Sequence, residues 1–550
     1  MLTGCLIVVC LIGFSTFALV TKGNFDTFFG GKGVITSKPI PPSGRDTIII
    51  TKENKDDVVI ESGYNYIFKG SSSWGTISKP IDLSKLNIII GLEDEPFDAY
   101  IEGNNNYFKV DKKQGKELQG AFGVLSGAIV NFNLVGTLSN SPTSLTLASI
   151  LEVDGVLYNC NNYINISSYN NDGYSAGLVG EAKGKIIKCN NYGTITANGY
   201  ASGIAYKVTG SITDSYNYGI IESKSSKAAG IAAIVNGTVK NSQNLANVSG
   251  NLGAAGIAIE VNGGSLINCV NGTFDRKISI YSSSAYSVGI VYNLKSIEAS
   301  TGKISKCINY SDINGNSGAV GIGYYVQGDI EESKNYGQIS SYSAAAGIAQ
   351  YLEGNIAKSK NYGTVIGNND YSIGLVLTIL GNIIDCQNSG YIKTSGGSAS
   401  GIVFDIEGNI SRVKNTGIVQ KIGWGNDSYV TGIASKAKGK ISDTINNGDV
   451  IADNIAKFLG GIAGEMTGQI LNSESNGKII QNNAYQHVTA GGITAVLDNN
   501  SSYGVPLIKD CIVTGGLQLK SNSSDKGIIA YSYPKKSIVN CVGMGVLYNL

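Results

Sequence analysis

Short apolar runs rich in β-branched residues recur along most of the chain, separated by small and polar residues. Each run begins with a Gly-Ile, Gly-Leu or Gly-Val step that follows small residues. Successive steps are most often 26 or 27 residues apart, and the interval rises to 35 where a loop is inserted. The anchor glycines of these repeats are Gly123, Gly177, Gly203, Gly230, Gly256, Gly289, Gly321, Gly347, Gly374, Gly401, Gly432, Gly461, Gly492 and Gly527, and Ser149 takes the place of one. This period predicts a solenoid of about fifteen turns.

Numbering from the anchor glycine exposes further columns of equivalent residues. Position +7 is usually Gly, as at Gly354, and position +9 is Ile or Val, as at Ile356. No 3.6-residue period is present, so the pattern favours strands over helices. It predicts an all-β fold, a single-stranded parallel β-helix with turns of about 26–27 residues. We expect the Gly-Ile step to start a sheet in every turn, the +7 glycines to form corners and the +9 side chains to point inward.

Two polar columns lie inside the same pattern. Position +14 is Asn in most turns, from Asn191 to Asn446, which predicts a ladder of stacked amides. Position +12 alternates among Cys, Ser and Thr, so it predicts a narrow buried column that includes Cys189 and Cys386. Cysteines on adjacent turns, such as Cys160 and Cys189, could come within disulfide distance. Stacked side chains point the same way, however, so we expect free thiols.

The ends of the chain differ from the repeats. Residues 1–20 carry no charge and resemble a signal peptide cleaved after Ala18, with an uncleaved N-terminal membrane anchor as the alternative. We interpret residues 21–120, which hold most of the prolines, as an N-terminal cap with the first irregular turns. The repetitive β-helix is expected over 121–500, and C-terminal turns and a cap over 501–550.

The amino-acid composition limits the classes of molecule that this chain is expected to bind. The chain has 550 residues, 42% of them hydrophobic and 15% charged, and 42 basic against 41 acidic side chains give a net charge of +1. The sequence shows no basic run or stripe, so we expect no nucleic-acid partner. Secretion or display on a cell surface fits the N-terminal segment. A glycan or a cell-surface protein, and self-association, are the partner classes that stay open.

The acidic residues do not form an obvious catalytic group. Asp329, Glu331 and Glu332 share one turn, Asp385 lies two turns later, and Glu353 and Glu407 share position +6 but are separated by Leu380. His487 is the only histidine, which rules out a site built on several histidines. The sequence therefore predicts no catalytic centre, no metal site and no cofactor, and it assigns no ligand-binding residue.

One turn resembles a known repeat. Gly177-Leu178-Val179-Gly180, followed by Gly184, Ile186, Cys189, Asn191 and Gly193, is similar to the GLUG repeat of microbial surface proteins, and degenerate copies continue from about Gly123 to the C terminus. The resemblance implies a right-handed parallel β-helix and an adhesin-like role.

The resulting hypothesis is a noncatalytic surface scaffold that presents loops. The inserted loops lie at 271–287 and at 418–429, the latter with Trp424. The alternatives are a polysaccharide lyase or glycoside hydrolase of the β-helix type, and a fibre or virion component.

Overall fold

The computed structural model describes residues 37–88, 91, 94–112, 122–139, 146–297, 301–424, 428–483, 488–498, 503, 505–520, 526–532, 537–544 and 546–548. The chain divides into two units, Met1–Ile40 and Pro41–Leu550. The second unit is a parallel β-solenoid of about 15 turns, with about 28 residues per turn, and 56% of the structure is strand and 1% helix. The predicted fold class is confirmed. The N-terminal segment 1–20 lies outside the described residues, among which no helix is long and apolar enough to span a membrane.

Two long sheets wind along the solenoid. The turn that begins before Gly203 is typical: Tyr200–Ser202, Ala205–Val208 and Ser211–Thr213 belong to the larger sheet, and Tyr216–Asn217 and Ile221–Ser223 to the smaller one. Each strand pairs in parallel with its equivalents on the turns before and after. Equivalent residues are therefore stacked about 4.8 Å apart along the axis.

The first and last turns depart from this plan. Thr47–Ile50, Asn65–Phe68 and Tyr100–Glu102 already join the larger sheet. They are accompanied by the strands Val59–Ile60, Ile81–Asp82, Asn87–Ile88 and Tyr107–Lys112 and by the 3₁₀ turn Leu83–Lys85. At the other end, Cys541–Gly543 turns back on Val546–Tyr548 to form an antiparallel hairpin. An antiparallel partner covers a strand edge that would otherwise be open to another chain.

The Gly-Ile step does not start a sheet, so that prediction was wrong. Gly203 and Ile204 form a bend between Tyr200–Ser202 and Ala205–Val208, two strands of the same sheet. A Cβ on Gly203 would lie 2.1 Å from the carbonyl oxygen of Gly230 and 2.6 Å from Cγ of Asn217. Glycine is required here because the next turn and the asparagine ladder occupy the space of a side chain.

The predicted inward column at +9 is confirmed. Ile356 is fully buried in the continuous apolar core, whereas its neighbour Asn355 is exposed. The corner glycines at +7 approach the preceding turn closely. At Gly354, for example, φ is 145° and a Cβ would lie 2.4 Å from the carbonyl oxygen of Gly328.

The asparagine ladder is also confirmed, and it is longer than predicted. Each buried side-chain Nδ2 except that of the last member, Asn446, donates to Oδ1 of the asparagine on the next turn, at 2.7–2.9 Å. The members are Asn162, Asn191, Asn217, Asn244, Asn271, Asn309, Asn335, Asn361, Asn388, Asn415 and Asn446. The hydroxyl of Ser149 donates to Asn162 at 2.9 Å and closes one end. Polar atoms can thus stay inside an apolar core because most of them have a partner.

The +12 column lies inside the solenoid, as predicted. Cys160, Cys189, Cys269, Cys307, Cys386, Cys511 and Cys541 are buried free thiols. Burial raises the pKa of Cys386 to about 12, so this thiol stays protonated at neutral pH.

Candidate functional site

An open depression of about 420 Å³ lies at the corner that follows the second strand of the turn. Its lining residues are glycines and residues with polar side chains, and they come from three successive turns. The lining residues are Ser296, Thr301, Gly302, Lys303, Gln327, Gly328, Asp329, Glu353 and Gly354. The strands that position them are Gly302–Ser305, Gly323–Glu331 and Ala349–Glu353.

The carboxylate of Glu353 is held by neutral donors. Tyr325 Oη donates to Oε1 at 3.2 Å and Gln327 Nε2 donates to Oε2 at 2.9 Å. The ring of Tyr325 stacks on that of Tyr351 on the next turn, with centroids 5.0 Å apart and planes 6° apart. Burial, and then the hydrogen bond and charge of Glu353, raise the pKa of both tyrosines. These hydroxyls therefore remain protonated donors at neutral pH.

The carboxylate of Asp329 lies at one end of an exposed row of asparagine side chains. The backbone N–H of Asn355 donates to its Oδ1 at 2.8 Å. The side chain of Asn355 in turn accepts from Asn382 at 2.9 Å, and that of Asn382 accepts from Asn409 at 3.2 Å. This row occupies position +8 on successive turns, so it extends the polar surface of the depression along the axis.

The other acidic residues named from the sequence do not line the depression, and each forms an ion pair. Lys303 pairs with Glu331 at 2.7 Å and lowers the pKa of that carboxyl, and Arg412 does the same to Asp385 at 2.6 Å. The remaining two pairs are Lys306–Glu332 at 3.8 Å and Lys438–Glu407 at 2.6 Å.

Two acids that the sequence kept apart meet in the depression. Asp329 and Glu353 lie on adjacent turns, at positions +8 and +6. Comparing acids within one turn, or at one position of the repeat, therefore does not pair them. Comparing +6 with +8 across neighbouring turns would have found them. His487 lies outside the described residues. Among the residues that are described, no group of three or more His, Cys, Asp or Glu side chains could hold a metal ion.

Both inserted loops carry an exposed aromatic side chain. Phe274 is 71% exposed, at the tip of a turn closed by the bond from the N–H of Thr273 to the carbonyl of Arg276, 3.0 Å. Trp424 is 68% exposed. In contrast, aromatic side chains next to the Gly-Ile bends pack against the bends and are buried. Tyr292, Tyr429 and Phe458, for example, are each 7% exposed.

In comparisons with known proteins, no protein-family model, no curated protein and no solved structure matches this chain.

Proposed function

We propose that this chain is a noncatalytic scaffold, secreted or displayed on a cell surface, that binds neutral glycans at the depression. The adhesin-like role rests on the resemblance to GLUG repeats, and the depression supports glycan binding. Its carboxylates, amide and lysine are hydrogen-bonding groups of the kind that orient a small ligand. Carboxylates are strong acceptors for sugar hydroxyl groups.

The electrostatic environment favours a neutral sugar. Glu353 receives its hydrogen bonds from uncharged Tyr325 and Gln327, and the charge of Lys303 is engaged by Glu331. A ligand entering the depression therefore meets the carboxylates of Asp329 and Glu353. Hydroxyl groups satisfy these acceptors, whereas a carboxylated sugar would be repelled.

A glycan array probed with the full chain tests this proposal. We expect binding of neutral oligosaccharides, reduced at least about tenfold in the variant Asp329→Asn/Glu353→Gln. The matched control is Glu407→Gln, which alters a carboxylate at position +6 two turns away. The proposal fails if the control and the double variant bind equally well.

The presence of two carboxylates in one depression is also the observation that favours the alternative, a glycoside hydrolase or lyase. Hydrolases of sugars use such a pair, and their spacing sets the stereochemistry. A sugar-release assay run beside the array distinguishes the two. We expect no new reducing ends and no unsaturated products. Release that disappears in Glu353→Gln would establish the enzyme in place of the scaffold.

A further inference from the structure

Stacking creates a basic stripe that the linear sequence hides. Position +13 is Lys334, Lys360 and Lys414 on three of four successive turns, with Gln387 between the last two. Lys334 and Lys360 are direct neighbours in the parallel register, about 4.8 Å apart between backbones. Like charges placed directly opposite each other destabilise a sheet.

Within the part of the chain that the structure describes, no carboxylate neutralises the lysines of the stripe. Lys334, Lys360 and Lys414 form no ion pair with any residue in the described ranges. The acids at the adjacent +11 corner are already engaged, Glu332 by Lys306 and Asp385 by Arg412. The stripe is therefore a row of unneutralised positive charge along the axis, and a polyanion would remove the repulsion.

A tyrosine ladder runs parallel to the lysines. Tyr310, Tyr336 and Tyr362 occupy the residue after each ladder asparagine, on the same outer face as the lysines. Their rings are 5.0 and 4.7 Å apart, with planes inclined by 11° and 7°. Burial by neighbouring turns, and then the adjacent tyrosines, raise the pKa of Tyr336 to about 12, so its hydroxyl is a protonated donor.

We propose that this Lys–Tyr stripe, Lys334, Lys360, Lys414, Tyr310, Tyr336 and Tyr362, binds a linear acidic polysaccharide. Its carboxylate or sulfate groups pair with the lysines, and its hydroxyl groups bond to the tyrosine edges. A repeating polymer suits the stripe because both are periodic along one direction. This inference concerns a different surface from the depression and stands without it.

The stacking of the rings argues against nucleic acid as the occupant. Single-stranded nucleic acids bind by laying bases on open aromatic faces. Here each face of Tyr336 is covered, by Tyr310 on one side and Tyr362 on the other. At Tyr336 only the ring edge and the hydroxyl group are left for a ligand, and sugars use those groups.

Binding of the full chain to four immobilised polymers tests the stripe: polygalacturonate, heparin, neutral dextran and single-stranded poly(dT). We expect the natural chain to bind polygalacturonate or heparin, and added salt to weaken this binding. The variant Lys334→Gln/Lys360→Gln should bind the same polymer with at least about tenfold lower affinity. The two acidic arms show whether carboxylate or sulfate is preferred. The matched control, Lys224→Gln/Lys478→Gln, removes two exposed lysines outside the stripe.

A melting curve separates binding from folding. The double variant should melt at the same temperature as the natural chain or higher, since it removes repulsion between stacked lysines. Equal affinity of the stripe and control variants would overturn the proposal. So would tighter binding of poly(dT) than of both acidic glycans, or no binding of either acidic glycan by the natural chain. The results for the acidic glycans and poly(dT) do not bear on neutral glycans at the depression, whose test uses Asp329 and Glu353.

Discussion

Replacement of one ladder asparagine, Asn361→Ala, tests the feature that links the turns through the core. Asn361 Nδ2 donates to Asn388 Oδ1 at 2.8 Å and to the carbonyl oxygen of Gly363 at 2.9 Å. Its Oδ1 accepts from Asn335 Nδ2 at 2.8 Å. All three bonds are buried, and alanine makes none of them.

The expected loss follows from these contacts. Each lost buried hydrogen bond costs about 1 kcal/mol, and the void left by the amide adds about 1 kcal/mol. Asn335 Nδ2 still donates to the carbonyl oxygen of Gly337, and Asn388 Oδ1 still accepts from the N–H of Gly390, which limits the cost of leaving them without Asn361. We therefore expect the free energy of unfolding to fall by about 3–5 kcal/mol.

The measurement is guanidinium denaturation followed by far-UV circular dichroism, with hydrogen exchange to locate the damage. Exchange should rise first in the turns around Asn361, because solenoid turns contact only their neighbours. The matched control is Asn409→Ala, an exposed amide of the outer row, which should cost less than about 1 kcal/mol. Similar losses for Asn361→Ala and Asn409→Ala would refute the ladder as a source of stability.

Three further predictions concern the interior. Ile356→Asp should destabilise the chain by several kcal/mol in thermal melts and Asn355→Asp should not, because only the first buries an unpaired carboxylate; equal tolerance would reject the assigned register. Burial lowers the pKa of Lys421 to about 8, well below its unfolded value of about 10.4. Between about pH 8 and about pH 10.4 only the unfolded chain keeps the proton on Lys421, so the free energy of unfolding should rise with pH by at most about 3 kcal/mol. In melts at pH 7 and 10, Lys421→Met should abolish this contribution to the rise. Finally, the seven described cysteines should react with iodoacetamide only after denaturation, as read by mass spectrometry; rapid labelling of the native chain would show that the column is open.

The interior columns could be predicted from sequence because each is repeated. Ile356 and Asn361 recur at fixed distances from their anchor glycines, and stacking gives each column one environment. The role of Gly203 was harder to predict. A glycine before isoleucine resembles a strand start, whereas the three-dimensional cause is that the carbonyl oxygen of Gly230 and the side chain of Asn217 occupy the space of a Cβ.

Surface sites could not be predicted in the same way. Lys334 and Lys360 are 26 residues apart in the sequence and adjacent in the structure, so counting basic runs missed their stripe. Asp329 and Glu353 meet because positions +6 and +8 of neighbouring turns border the same corner, where Ser296 and Thr301 of the preceding turn add a third wall. Such sites combine residues from different turns, so they cannot be recognised by comparing the residues at one position of the repeat.

The distance between equivalent residues on distant turns tests the solenoid most directly. Ile220 and Ile418 are exposed at position +17 and lie seven turns apart by strand register. Spin labels at Ile220→Cys and Ile418→Cys, attached under native conditions, should give a single separation near 34 Å, about seven times the 4.8 Å turn spacing, in double electron–electron resonance. A broad distribution, or a separation that differs from this value by more than about 10 Å after allowance for the label linkers, would contradict the stacked parallel turns.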